Sequence, residues 1–181
     1  MPLAVIVVGM PASGKNFARH YAEENGINYL STGDIVRIEC ASRGLDMNSE
    51  NMALVSDDLR SRDSAELTRW LLDRVEGDMP HEPVVILEGM RSWEEIQLAR
   101  SRMNVEVVAF VVGRETRKER FMARGREDDD PRLFHRRDWR EVKYGVGEAI
   151  ALADHYVLND SSVEETVENL RRVMERILEK A

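Results

Sequence analysis

The chain has 181 residues, enough for one domain with an ample core, and a formal net charge of −8. That acidic balance argues against a general nucleic-acid binder and against a surface built for anionic membranes. A single cysteine, Cys40, excludes an internal disulfide framework and any paired-cysteine metal site, and reads as an ordinary helix residue in a reducing setting.

Leu3-Ala4-Val5-Ile6-Val7-Val8 is a short apolar run rich in β-branched residues, which predicts a buried strand. It runs into Gly9-Met10-Pro11-Ala12-Ser13-Gly14-Lys15, and apolar spacing after the lysine predicts a helix from about Lys15 to Glu24. Strand, glycine-bounded loop and helix together form a Walker A phosphate cradle. Gly9 and Gly14 let the backbone turn its N–H groups toward an anion, the helix N-terminus adds positive dipole, and Lys15 reaches the β- and γ-phosphates of a nucleoside triphosphate. The expected cradle spans Gly9 to Phe17. Asn16 stands where most such loops carry a Ser or Thr on Mg²⁺. Either the loop is inactive, or the metal is held mainly through water and carboxylates elsewhere, as Mg²⁺ keeps several waters.

Asn25-Gly26 stops the helix, and Ile27-Asn28-Tyr29-Leu30 predicts a short second strand leading into Ser31-Thr32-Gly33-Asp34. Polar groups at the carboxyl ends of parallel strands face the ligand crevice, although Thr32 or Asp34 can equally cap a helix. Asp34 is placed to hold a magnesium-bound water or accept a proton. Arg37, three residues on, falls near the same face and could bind an acceptor phosphate. From Ile35 to about Val75 the text is helical and polar, broken near Gly44 and around Met47–Glu50. Gly77, Pro80 and Pro83 mark a loop before the third strand, Val84–Leu87. Glu88-Gly89-Met90-Arg91 then resembles a Walker B end, whose carboxylate positions Mg²⁺ or its water shell. Gly89 would admit a ligand close to the backbone and Arg91 would point at phosphate or sugar. A strand-ending turn is the plainer reading, and the neighbouring P-loop favours function.

Val105–Val112 is the predicted fourth strand. Helices follow over about Thr116–Ala123 and Arg132–Ala153, with Pro131 at the start of the second. His155–Leu158 is the fifth strand and Val163–Glu179 an amphipathic helix. The chain's cations are 22 Arg and 4 Lys, densest between Arg114 and Arg140. Arg117, Arg120 and Arg124 share one helical face, followed by Arg126, then Arg136, Arg137 and Arg140. A solvated face is the usual meaning of such a run. Phosphoryl transfer, however, spreads negative charge over equatorial oxygens that closing arginines stabilise, so two or three of these are expected on phosphate. Strands alternating with helices predict a parallel α/β sheet. No repeat, linker or low-complexity segment is visible, and no signal peptide or apolar run near the roughly 18 residues of a membrane span. A soluble, cytoplasmic setting is expected.

Gly9–Lys15, Ser31-Thr32-Gly33-Asp34-Ile35-Val36-Arg37, Glu88–Arg91 and Arg126-Glu127-Asp128-Asp129 resemble, in the same order, the four signature regions of adenylate kinases. The chain also resembles an archaeal group of adenylate-kinase-like and dephospho-CoA-kinase-like proteins. The residues that carry this are Arg136-Arg137-Asp138, Gly145–Ile150, Ala153-Asp154 and Asn159-Asp160. The resemblance covers nearly the whole chain. It implies a three-layer P-loop nucleotide-kinase fold, with a five-stranded parallel sheet ordered 2-3-1-4-5 and helices on both faces. It implies one domain over 1–181, with an acceptor-binding helical insertion over about 32–80 and a short arginine-rich lid over about 114–138. By the same resemblance Lys15 binds the donor phosphates, while Thr32, Arg37, Gly89 and Arg91 line an acceptor site. Arg120, Arg124, Arg126 and Arg137 clamp the transferring phosphoryl group beside Asp34, and Mg²⁺ is held among Asn16, Asp34 and Glu88.

Two departures stand out. Only Gly125 separates Arg124 from Arg126, so the long adenylate-kinase lid is absent, and Glu88 replaces the usual Asp. The implied activity is ATP- and Mg²⁺-dependent phosphoryl transfer to a nucleotide-type acceptor, a nucleoside monophosphate such as AMP first and dephospho-CoA second. The implied partners are small nucleotides, in a monomer or small homo-oligomer. A nucleotide-binding regulator or ATPase without a small acceptor is the rival of another class, against which Thr32, Arg37 and Arg91 speak. An RNA-associated ATPase fits the acidic charge poorly.

Overall fold

The middle strand of the sheet is also the most hydrophobic segment of the chain. In a computed structural model that describes residues 1–123 and 130–179, β1 (Leu3–Val8) pairs in parallel with β3 (Val84–Glu88) on one side and β4 (Val105–Val111) on the other. β2 (Asn28–Ser31) adds to β3 and β5 (His155–Leu158) to β4, giving the all-parallel order β2-β3-β1-β4-β5. This is the order expected. Strands buried on both faces need apolar side chains pointing both ways, which is why β1, β3 and β4 read as near-continuous Val/Ile/Leu runs rather than as alternating patterns.

Two cores follow. On one face Ile6, Val8 and Leu87 pack with α4 (Glu66–Asp78), α5 (Trp93–Arg102) and α8 (Val146–Ala151). On the other, Val7, Ile86 and Phe110 pack with α1 (Asn16–Asn25) and α9 (Val163–Leu178). A third, smaller cluster closes the insertion: Val36 and Cys40 of α2 (Thr32–Ser42) meet Val55 and Leu59 of α3 (Ser49–Arg62). Cys40 is thus a core residue of a helix.

The structure differs from the sequence reading in three places. α5 was not expected between the third and fourth strands, although Ser92 and Glu95 form the reciprocal capping box that starts it. The insertion breaks a second time between α3 and α4, where Asp63 accepts from the backbone N–H of Ala65. The long helix expected over 132–153 is two, α7 (Pro131–Tyr144) and α8, because Gly145 at φ 96° takes the left-handed conformation that ends a helix. The remaining helix, α6 (Arg114–Ala123), precedes α7. Arg124, Arg126, Asp128 and Asp129 lie outside the described residues. Among the described residues no helix is long and apolar enough to cross a membrane.

Candidate active site

The P-loop bends at the C-terminal end of β1 and leads into α1. Ala12 holds φ 61° and Gly14 φ 97°, left-handed backbone that turns successive N–H groups inward. The loop is also braced from behind. Asn159, just past β5 and buried, donates its amide to the carbonyl of Ser13 (2.9 Å) and accepts from the Thr166 hydroxyl (3.0 Å). The approach is so close that a Cβ on Gly14 would stand 2.1 Å from Asn159 Nδ2. The resemblance flagged Asn159 without a role, and the structure makes it the brace of the phosphate loop.

Lys15 donates to the carbonyls of Gly9 (2.7 Å) and Met10 (3.2 Å), curling along the loop. Burial pushes its ammonium below the usual lysine range, while the charges of Glu88 and Glu141 pull it back up. The same cleft, of about 510 Å³, is lined by Gly9, Pro11 and Asn16 from the loop. It also holds Thr32, Asp34 and Arg37 from α2, and Glu88, Gly89 and Arg91 from the end of β3. Ser13 and Phe17 do not line it: Ser13 is buried with its hydroxyl unpartnered, and Phe17 packs on the α1–α9 core.

Asp34 is occupied. Its carboxylate takes Arg19 at 3.3 Å and Arg37 in a closer pair, and the helix cap falls to Ser31, whose hydroxyl accepts from the Asp34 N–H. Glu88 has no such arginine in its own ion pair among the described residues. Beside it, the Tyr29 hydroxyl is held above the usual phenol range by burial, with the charge of Glu88 adding to that and Arg19, stacked 4.5 Å over the Tyr29 ring, opposing it. Arg91 pairs with Glu141 of α7 (3.3 Å), a partner the sequence did not suggest.

The arginines of α6 and α7 divide. Arg120 is not among the residues lining the cleft and donates to the carbonyl of Asn159 (3.0 Å), the residue that braces the P-loop. Arg117 is buried against Asp138 and donates to the carbonyl of Pro11 (3.2 Å), tying α6, α7 and the P-loop together. Arg137 donates to Ser49 at the start of α3 (3.0 Å) and lines an adjoining cleft of about 300 Å³ that shares Thr32, Arg37 and Arg91 with the first.

The Gly89 turn is built by residues that sequence reasoning passed over. Glu95 is buried and accepts from the backbone N–H groups of Arg91 (2.7 Å) and Ser92 (3.1 Å) and from Arg60 (2.8 Å) and Thr68 (2.7 Å). Arg60 also donates to the carbonyl of Gly89 (3.2 Å). The signal was the capping-box spacing of Ser92 and Glu95. Gly89 itself sits at φ 106°, and a Cβ there would fall 1.9 Å from the Thr32 hydroxyl. Gly89→Ala should therefore cost about 1–3 kcal/mol of stability. Gly77→Ala, where a Cβ meets open space inside α4, should be neutral or slightly stabilising. Paired thermal melts check this, and equal melting temperatures for the two variants would refute the crowding at Gly89.

Comparison with known proteins gives a family and a shared fold. Residues 8–135 match the family model described as AAA domain. A UPF0200 protein of Thermococcus onnurineus is 37% identical over 97% of this chain and 98% of its own length. One of Methanocaldococcus jannaschii is 35% identical over 97% of this chain and 91% of its own. Among solved structures, TT1252 of Thermus thermophilus superposes with a TM-score of 0.68 at 17% identity, covering 97% of both chains. A gluconokinase of Sinorhizobium meliloti superposes at 0.60 and 15% identity, covering 99% of this chain and 98% of its own. A shikimate kinase of Bacteroides thetaiotaomicron does so at 0.60 and 12%, covering 97% and 98%. At these identities the structures share the fold alone, which is that of a P-loop kinase-like protein.

Proposed function

The chain belongs to the UPF0200 family and to the AAA-domain family, and from that footing we propose that it is a kinase moving the γ-phosphoryl group of ATP, with Mg²⁺, onto a nucleotide-type acceptor, first a nucleoside monophosphate. The observation that carries the reading is that Lys15 shares one cleft with Arg37 and Arg91. One cation set suits a donor's phosphates, and two guanidiniums across the cleft suit a second phosphate in bidentate contact. A nucleotide switch has no use for that second set.

Within this reading the loop N–H groups and the start of α1 hold the donor β-phosphate, and Lys15 follows the γ-phosphoryl group as its charge redistributes. Glu88 and Asn16 supply the oxygen donors a hard cation prefers, so they would hold Mg²⁺, which neutralises phosphate oxygens when bound. Asp34, committed to Arg19 and Arg37, aims Arg37 at the acceptor. Arg124 and Arg126 remain the proposed clamp on the transferring group, with Arg137 among the residues that line the adjoining cleft. That adjoining cleft favours a second reading, in which a longer acceptor such as dephospho-CoA runs past Arg91.

Incubating the protein with ATP and Mg²⁺ and each of AMP, CMP, UMP and dephospho-CoA, then separating products by chromatography, tests both readings. A phosphorylated monophosphate supports the first and phosphorylated dephospho-CoA the second. ATP hydrolysis with every acceptor left unmodified would overturn both in favour of a regulator or ATPase.

The metal assignment has its own signature. Glu88→Ala should cut activity at least about a hundredfold (~2.7 kcal/mol) and raise the Mg²⁺ requirement, whereas Asn16→Ala should shift that requirement only a few-fold. Asp34→Asn should raise the acceptor KM and leave the Mg²⁺ titration unchanged. A large Mg²⁺ shift in Asp34→Asn would return Asp34 to the metal.

A further inference from the structure

Away from the catalytic cleft, α3 and α7 enclose a groove of about 610 Å³ that the kinase reading does not use. His135, Arg136, Trp139, Arg140 and Lys143 recur at helical spacing along one face of α7, opposite Asp57 and Arg60 of α3. In a chain of net charge −8 this wall is cationic. Arg60 is committed to Glu95 and Gly89, and Asp57 already receives the Tyr144 hydroxyl, which burial and that carboxylate push up to about 12. Arg136, Arg140 and Lys143 enter no ion pair among the described residues, and the Arg140 Nε is buried without a hydrogen-bond partner. Arg136 and Arg140 are moreover a like-charge i,i+4 pair, an arrangement that destabilises a helix unless an anion lies between the two. Trp139 stands beside them 54% exposed, with His135 edge-on at 6.2 Å. An indole left open next to free cations offers a planar ring a surface to stack on.

We propose that this groove is a second anion site that takes a nucleotide moiety, with the base on Trp139 and phosphate on Arg136, Arg140 and Lys143. The groove adjoins the smaller cleft beside the catalytic one. Arg140 lines both it and that adjoining cleft, which shares Arg37 and Arg91 with the catalytic cleft. The Tyr144 ring lies 5.3 Å from the guanidiniums of both Arg60 and Arg91. The moiety has two possible sources, a separate nucleotide or the far end of a long acceptor whose near phosphate sits on Arg91.

Calorimetric titration of the whole protein with ADP, and separately with inorganic pyrophosphate, tests the site without reference to turnover, so its failure is distinct from failure of the kinase reading. Two classes of ADP binding are expected. Lys15→Ala should remove the P-loop class, and the double variant Arg136→Ala/Lys143→Ala should weaken the other at least tenfold; both residues of the double variant are exposed, which protects the fold. Trp139→Phe should abolish the fluorescence change of the groove class while pyrophosphate still binds. Displacement of groove-bound ADP from the Lys15→Ala protein by dephospho-CoA but not by AMP assigns the groove to a long acceptor, and displacement by neither assigns it to a separate nucleotide. ADP binding to the Arg136→Ala/Lys143→Ala protein with wild-type stoichiometry and affinity would overturn the proposal.

Discussion

Lys15→Ala should reduce phosphoryl transfer by three or more orders of magnitude, a barrier increase of about 4 kcal/mol. Lys15 is the lysine in the cleft, and its ammonium lies along the P-loop against the carbonyls of Gly9 and Met10. Burial works against its charge, and Glu88 and Glu141 offset part of that. Such a group is held where water screens it poorly, so its attraction for charge developing on a γ-phosphoryl oxygen is far larger than that of a surface lysine. The arginines cannot substitute: Arg117 is locked on Asp138 and Arg91 is paired with Glu141. Lys15→Arg should fail nearly as badly, because a planar fork does not fit a cavity shaped for a point charge. Single-turnover rates with saturating ATP and an accepted substrate measure the effect. A loss of tenfold or less in Lys15→Ala would remove Lys15 from the chemistry.

What could be read in advance divides along physical lines. β1 and the P-loop rest on local signals, a β-branched run and a glycine pattern whose geometry is dictated by the backbone, and these came through in the sequence, whereas the strand order came only with the resemblance to adenylate kinases. The place of Arg37, Gly89 and Arg91 in the cleft was legible for the same reason, since each sits within a few residues of a strand end. Arg120 and Arg117 were not. Their helical spacing told that they share a face but not what faces them, and the partners, Asn159 and Asp138, lie 39 and 21 residues away. Glu95 was missed although its capping-box spacing with Ser92 was in view. A capping glutamate ordinarily remains near solvent, and only the packing of α3 and α4 over it turns it into a buried hub.

That hub supplies the largest stability effect expected here. Glu95→Ala should lower stability by about 3–5 kcal/mol, the cost typical of removing one partner from a buried ion pair. The Arg60 side chain is 7% exposed and would be left charged in the interior, with the N–H groups of Arg91 and Ser92 and the Thr68 hydroxyl also unpaired. Total stabilities of about 5–15 kcal/mol make this a large fraction, and the melting temperature should fall by roughly 10 °C. Glu95→Gln is the sharper probe of geometry. Its amide can keep one oxygen for Arg60 and Thr68, but its NH₂ must then face the two backbone N–H groups that fix Arg91, so it should lose less stability and still impair acceptor use. Combining Arg60→Leu with Glu95→Leu removes both charges and should recover much of the melting temperature lost in Glu95→Ala, while acceptor KM stays high because Gly89 has lost its Arg60 contact. Thermal melts with acceptor kinetics on the three proteins separate the two roles. A Glu95→Ala protein that melts within 2 °C of the wild type would mean that water reaches this pair, and that the Gly89 turn is held by something other than Glu95.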